Sequence, residues 1–510
     1  LDFGQVGKGD TPVKHITVHN TGTGNLMISG LIFQASSYFS VIFDTQKYQP
    51  GNVTIAFSDA VAVLPGKFVI FSVSFDPESA QSASGTLTFL TNDLNQPLGT
   101  TVTMKGNEAK PCILVYPKNV QFGGKVVGSK SVMNISINNC GTLPLTVTNI
   151  ELLEGSDPDF TEGWSTAFNG QPISNKNPMI IPADKKASVD IEYTPSKVGP
   201  VQTASILFES NAPESAVEIN VTGKGVQQAC PTAVGVIQEG QEVIPQTVLH
   251  LYGDQSFAPI GSIGGWKWSV SQPANSLETI VPSDTFPNPV FEANSAGNYT
   301  FKLTVWDDKG VESCMPWVQH VAVIPDETIH VELSWVTPND PDESDEGPEA
   351  GSDLDLHFVH NIYAKSGPDL DKDGQPDPWF DKPFDCFWFN AHPNWGSFDP
   401  TVDDDPGLDR DDTDGAGPEN VNLNIPEHDT TYRLGVHYWS DHEYGPAYAT
   451  LRVYILGKLE FEESGIKMVN HDMWDAATIH WPTAEVSLFL DETGNYKITP
   501  DYQNPFFFQP

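Results

Sequence analysis

Three aspartates at alternate positions, Asp369, Asp371 and Asp373, are followed by Gly374, Gln375 and Asp377. Carboxylates at positions 1, 3 and 5 of a coiled loop converge on one point. Glycine at position 6 permits the sharp turn, and positions 7 and 9 add further oxygens. Hard oxygen donors in this pattern are chemistry for calcium. Position 12, where an EF-hand places glutamate, is Phe380, and no helix-forming segments flank the loop. A second set opens with Asp353-Leu-Asp355-Leu-His357. Alternate residues of a strand project from one face, so Asp353 and Asp355 stand side by side and repel unless a cation sits between them. The run Asp409, Asp411, Asp412, Asp414, Gly415 offers further oxygens for a shell of six to eight.

These motifs lie in an acidic stretch: residues 340–420 hold 23 Asp and Glu against four Lys and Arg. Trp379, Phe380, Phe384, Phe387, Trp388, Phe389 and Trp395 interrupt it, more aromatic surface than a disordered acidic tail carries. Folding so many like charges together costs self-repulsion, which bound divalent cations offset. The whole chain has a net charge of −41, from 67 acidic and 26 basic residues. That balance argues against nucleic acid, whose phosphates need clustered Lys and Arg, and against anionic membrane surfaces. No apolar run is long enough for a membrane span. The chain opens at Leu1 inside a strand-like motif and reads as processed or partial.

The elements that must carry these sites are strands. Apolar residues alternate with period two between Gly, Asn and Pro punctuation, and no long helical period occurs. An internal repeat organises the first half. Phe3-Gly4-Gln5-Val6-Gly7, leading to Asn20-Thr21-Gly22, recurs 119 residues later as Phe122-Gly123-Gly124-Lys125-Val126, leading to Asn139-Cys140-Gly141. Phe75 then parallels Tyr193, and each copy closes on a strand with glycine, Gly106 or Gly223. These residues resemble immunoglobulin-like domains of the abnormal-spindle/hydin type, which implies two β-sandwiches at 1–108 and 109–226 acting as spacers or docking modules. A third unit, 227–326, carries Trp266-Lys-Trp268-Ser and Gly297-Asn-Tyr299-Thr-Phe301-Lys-Leu303-Thr-Val305. It resembles the polycystic-kidney-disease type of immunoglobulin-like domain. Of five cysteines, Cys112 with Cys140 and Cys230 with Cys314 are placed for two intradomain disulfides, hence an oxidising compartment; Cys386 is left over.

Residues 327–510 form the fourth unit. Asp353-Leu-Asp355-Leu-His357, the Asp-rich loop through Gly417-Pro418-Glu419-Asn420, and Tyr432-Arg-Leu-Gly-Val-His-Tyr438 resemble an uncharacterised family of bacterial β-sandwich domains from periplasmic and surface proteins. The resemblance implies a cation site at Asp353, Asp355, Asp409, Asp411, Asp412 and Glu419. The Asp369–Asp377 loop is extra to that pattern and resembles the calcium loops of dockerins and thrombospondin repeats. The four units together are similar to exported multidomain proteins of myxobacterial relatives. The fold class expected is therefore all-β, tandem immunoglobulin-like sandwiches followed by a sandwich with long acidic loops.

No hydrolase or nucleotide-binding signature occurs. Gly123 to Gly128 has phosphate-loop spacing, but Ser129 replaces the lysine, so it reads as a turn. His437 and His442 form the weaker alternative, a zinc pair. The expectation is a non-enzymatic, calcium-stabilised structural or adhesive protein of the cell surface, extracellular space or periplasm, with a fibre or surface array as one form. Carbohydrate binding on Trp379, Trp388, Trp395, Trp439 and Tyr444 is the alternative, and a secreted hydrolase the least supported. The apolar tail Phe506-Phe507-Phe508 either packs on its own domain or docks on a neighbouring subunit, as does the strand at Leu1.

Overall fold

The computed structural model describes the chain apart from residues 5, 7–10, 44–45, 52–53, 79–81, 97, 108, 165–172, 184, 344–350, 398, 400–401, 413–415 and 509–510, and the side chain of residue 59. The protein is all-β. Among the described residues the one helical element is a 3-10 turn, Trp388–Asn390. No described helix is long and apolar enough to cross a membrane. Separate hydrophobic cores lie in the first unit (Phe3 to Met104), the second (Ile113 to Val221) and the third (Ala233 to Val323). Cys112–Cys140 and Cys230–Cys314 are disulfide-bonded. Closing loops of this length removes roughly 3–5 kcal/mol of unfolded-chain entropy each. Cys386 is free and buried.

The sequence repeat has a physical basis. Asn20 donates its amide to the carbonyls of Gly24 and Val63, and accepts from the Gly22 N–H. Asn139 does the same with Leu143, Ile181 and Gly141. A Cβ on Gly106 would lie 2.3 Å from the Phe75 ring, and one on Gly223 2.6 Å from the Tyr193 ring. The repeated glycine is therefore demanded by the repeated aromatic beneath it. The segment Gly123–Val126 is not a turn: it belongs to the strand Asn119–Val126, which pairs in parallel with Ala216–Val226 across an irregularity between Gln121 and Gly124.

In the last unit two sheets face each other. One runs Gly407–Arg410, Glu419–Leu423, Ile329–Val336, Ala447–Ile455, Lys458–Met468; the other runs Asp385–Cys386, Asp353–His360, Thr430–Ser440, Met473–Trp481, Glu485–Leu488. Leu354, Leu356 and Phe358 enter the shared core with Leu434 and Val436. Alternation then forces Asp353, Asp355 and His357 onto the opposite face, beside Gly435 and His437. A polar face of this kind normally meets water. Here the segment after His360 and the chain end cover it: Val359, Trp379, Phe380, Phe387, Met473 and Tyr502 form a second small core. Gly435 makes room for this roof, since a Cβ there would lie 2.6 Å from the Trp379 ring.

The units are packed against one another. Gly124 touches the Cys230–Cys314 bridge, where a Cβ would sit 2.4 Å from Cys314. Glu332, fully buried, accepts the Ala296 N–H at 2.6 Å. The first unit meets the last: Ile42 clusters with Val402 and Ile425, Phe43 lies edge-on to His428, and Lys67 pairs with Glu485 at 2.5 Å. His15 Nε2 lies 3.1 Å from Thr328 Oγ1 at the same contact. Burial pushes the His15 imidazole down to about 4. The immunoglobulin-like units thus fold back instead of forming an extended spacer.

Candidate metal centre

Asp355, Asp411 and Glu419 bring carboxylate oxygens within 4.8 Å of one another. Each comes from a different element. Asp385–Cys386 pairs only with Phe358 and Val359, so the first half of the Asp353–His360 strand has an unpaired edge. Glu419, from the other sheet, caps that edge by accepting the Leu356 N–H at 2.6 Å. A bulge between Leu408 and Arg410 resets the strand that leads into Asp411 and Asp412. Asp355 is 2% and Glu419 1% exposed, while Asp411 opens to solvent. Desolvation, then Asp353 and Asp411, drive the Asp355 carboxyl well above the usual range. Glu419 is raised in the same way, by desolvation and then by Asp355 and Asp411. Asp355 Oδ2 has no hydrogen-bond partner.

The remaining members expected here divide. Asp353 and Asp412 are buried at the border of the group, Asp412 with Arg410 Nε at 3.7 Å. Arg410 in turn donates to Glu292 of the third unit at 2.9 Å. Asp409 does not belong: it is exposed and accepts from the Asn422 amide, because the bulge turns it out of register. Asp414 and Gly415 lie outside the described residues.

Sequence reasoning named His437 only as half of a zinc pair and gave His357 no role of its own, so it missed that both lie beside this group. His357 and Asp385 are both fully buried, with Nδ1 2.7 Å from Asp385 Oδ2. The Phe387 ring stacks on His357 and Phe380 meets it edge-on. His437 faces Asp355, Nδ1 to Oδ2 3.7 Å, and its Nε2 meets the Tyr502 carbonyl at 2.8 Å. Desolvation, then His357, push the His437 imidazole down to about 3. The signal was the period-two register, which puts His357 and Asp355 on one face; the roof that buries them had none. Of the expected zinc pair, His442 meets the Gly351 carbonyl through Nδ1 at 2.6 Å.

The loop expected to hold calcium also brings carboxylate oxygens of Asp369, Asp371 and Asp373 within 4.8 Å of one another, but near the surface. Desolvation raises Asp371, yet the Lys497 ammonium at 2.9 Å and the Asp373 N–H outweigh it and hold the carboxyl below its usual range. Asp377 is not in the group. It points inward, accepting from the Leu370 N–H at 2.7 Å and the Tyr502 hydroxyl at 2.8 Å, and braces the loop against the roof. Gln375 is exposed and donates its side-chain amide to the Gly374 carbonyl.

The aromatic platforms are corrected by burial. Trp379 and Trp395 are each 3% exposed and present no face to a sugar. Trp388 and Trp439 are half-buried against each other and under the tail, Phe507 lying 5.2 Å from Trp388 and Phe508 4.4 Å from Trp439. Tyr444 is half-buried in a turn, its carbonyl accepting from Asn339. Phe507 and Phe508 therefore pack half-buried on their own domain, while Phe506 stays 58% exposed with Lys382 Nζ 3.6 Å from its ring centre. At the other end, Leu1 to Phe3 are tied to the Thr100–Gly106 strand through Leu1 and Phe3.

Comparison with known proteins places residues 1–107 in a match to the HYDIN/CFA65/VesB-like, Ig-like domain. No curated protein matches the chain. Among solved structures, the ASH/PapD-like domain 7 of human CEP192 is 12% identical over 24% of this chain and 89% of its own, with a TM-score of 0.18. The E. coli chaperone DraB is 12% identical over 41% and 98%, at 0.19. The fibronectin(III)-like modules of Clostridium thermocellum CbhA are 15% identical over 42% and 94%, at 0.15. Likeness this slight bears on no function.

Proposed function

We propose that this chain is a non-enzymatic structural or adhesive protein of the cell surface or extracellular space, whose last sandwich is completed by divalent cations. The observation that carries the reading is Asp355, 2% exposed with one oxygen lacking any hydrogen-bond partner, beside the equally buried Glu419. A buried carboxylate left unpaired costs several kcal/mol, and two together are tolerable only when neutralised or bound to a cation. Calcium suits the all-oxygen loop at Asp369, Asp371 and Asp373. The two disulfides favour an oxidising compartment. Neither the buried tryptophans nor the docked tail supports glycan binding or tail-mediated fibre assembly.

The test is thermal unfolding of the full chain with and without millimolar EDTA. Ligand linkage at saturating ion predicts a loss of about 10 °C in Tm on chelation. An unchanged Tm overturns the reading.

A further inference from the structure

His437 stands opposite Asp355 in the pairing of Asp353–His360 with Thr430–Ser440. Both project onto the roofed face, His437 at 0% and Asp355 at 2% exposure. Nε2 of His437 lies 2.8 Å from the Tyr502 carbonyl oxygen. A carbonyl only accepts, so Nε2 carries the proton and donates it, which leaves Nδ1 of the neutral ring as a bare lone pair. Nδ1 has no hydrogen-bond partner, and neither has Asp355 Oδ2, although the two are 3.7 Å apart. An N–H···O bond spans about 2.7–3.2 Å, so no shared proton joins them. Both atoms are thus left unsatisfied in a dry interior. An ion between them, at about 2.0–2.3 Å from each, would satisfy both.

We infer that His437 Nδ1 is a metal ligand, making the buried centre a mixed carboxylate–imidazole site for a first-row divalent metal of the Mn²⁺ to Zn²⁺ series. The inference rests on the reading of Asp355, Asp411 and Glu419 as a cation site and adds the identity of the ion. Calcium takes oxygen ligands, whereas imidazole nitrogen suits zinc, iron and their neighbours. The Tyr502 carbonyl is the outer partner that fixes the ligating tautomer. That gives the folded-back tail a task, since it delivers this carbonyl to the ring. The last domain then carries two cation sites of different taste, a calcium loop at the surface and a nitrogen-containing centre beneath the roof.

The experiment uses the full-length chain carrying Asp369→Asn and Asp373→Asn, which silences the surface loop. After chelation and desalting it is titrated calorimetrically with Co²⁺, Zn²⁺ and Ca²⁺ separately. One equivalent of Co²⁺ or Zn²⁺ should bind at least about 100-fold more tightly than Ca²⁺. Adding His437→Asn should weaken Co²⁺ by about 10–100-fold while leaving Ca²⁺ nearly unchanged. Undiminished Co²⁺ affinity in that variant overturns the assignment of His437. If Asp355→Asn instead binds the same number of ions as its parent, the cation-site reading itself has failed. Where His437→Asn does not fold, an anomalous-difference map of the Co²⁺-loaded parent decides. A peak within about 2.0–2.3 Å of Nδ1 supports the assignment. A peak on His357 Nε2, or on carboxylates alone, overturns it.

Discussion

Asp371, in the exposed loop, has the Lys497 ammonium 2.9 Å away, whereas Asp355, beneath the roof, faces a histidine lone pair at 3.7 Å. The two groups look alike in sequence, since both are aspartates at alternate positions. Their energetics are opposite. The loop already owns a cation and is open to water, so its charges are screened and an ion adds order more than stability. The second group has four buried carboxylates, Asp353, Asp355, Asp412 and Glu419, beside the exposed Asp411, and Arg410 pairs with Asp412 while also holding Glu278 and Glu292 of the third unit. On the proposed reading, an ion there is part of the fold. A cluster of acidic residues thus says little until burial is known, because the cost of an unpaired charge is set by the surrounding dielectric.

The largest effect that bears on this contrast is removal of the buried carboxylate. Asp355→Asn should abolish the roughly 10 °C chelator response of Tm, read by calorimetry with and without EDTA. A full response in that variant would place the stabilising ion in the loop. Next is the roof. Gly435→Ala puts a methyl 2.6 Å from the Trp379 ring and should cost about 1–3 kcal/mol by overpacking. It should also raise protease access to residues 361–395, which a gel time course follows. A pH response that involves no ion provides the control. His15 has a folded value of about 4 against 6.5 when free, so protonation favours the separated state. Contact between the first and last units is strongest above pH 6.5 and weakens as pH falls towards 4. Small-angle scattering at saturating ion should show expansion over that window, and His15→Gln should flatten it. The smallest effect is in the loop: Asp369→Asn with Asp373→Asn should change stability by less than about 1 kcal/mol. A larger loss would erase the distinction between the two sites.

Period-two alternation was enough to read the strand Asp353–His360 and to place Asp353 and Asp355 on one face, because side chains of a strand must alternate. The repeat was legible for a similar reason: Asn20 and Asn139 tie identical turns, and Gly106 and Gly223 clear identical aromatics. Asp409 was misread because a one-residue bulge leaves no mark in composition yet flips a side chain. Asp377, Trp379 and Trp395 were misread because a motif does not state which of its members will be covered. His437 lay inside the Tyr432–Tyr438 motif, which did not state that it would confront Asp355.

By itself the sequence determined the strands, the repeated sandwiches, the cysteine pairs and the acidic residues from which any site must be drawn. Those follow from local periodicity and spacing. Only the tertiary structure decided which carboxylates meet, which are sealed from water and which histidine confronts them. Those depend on residues far apart in the chain, such as Asp355, Glu419 and Tyr502, arriving at one dry place where electrostatics is no longer screened.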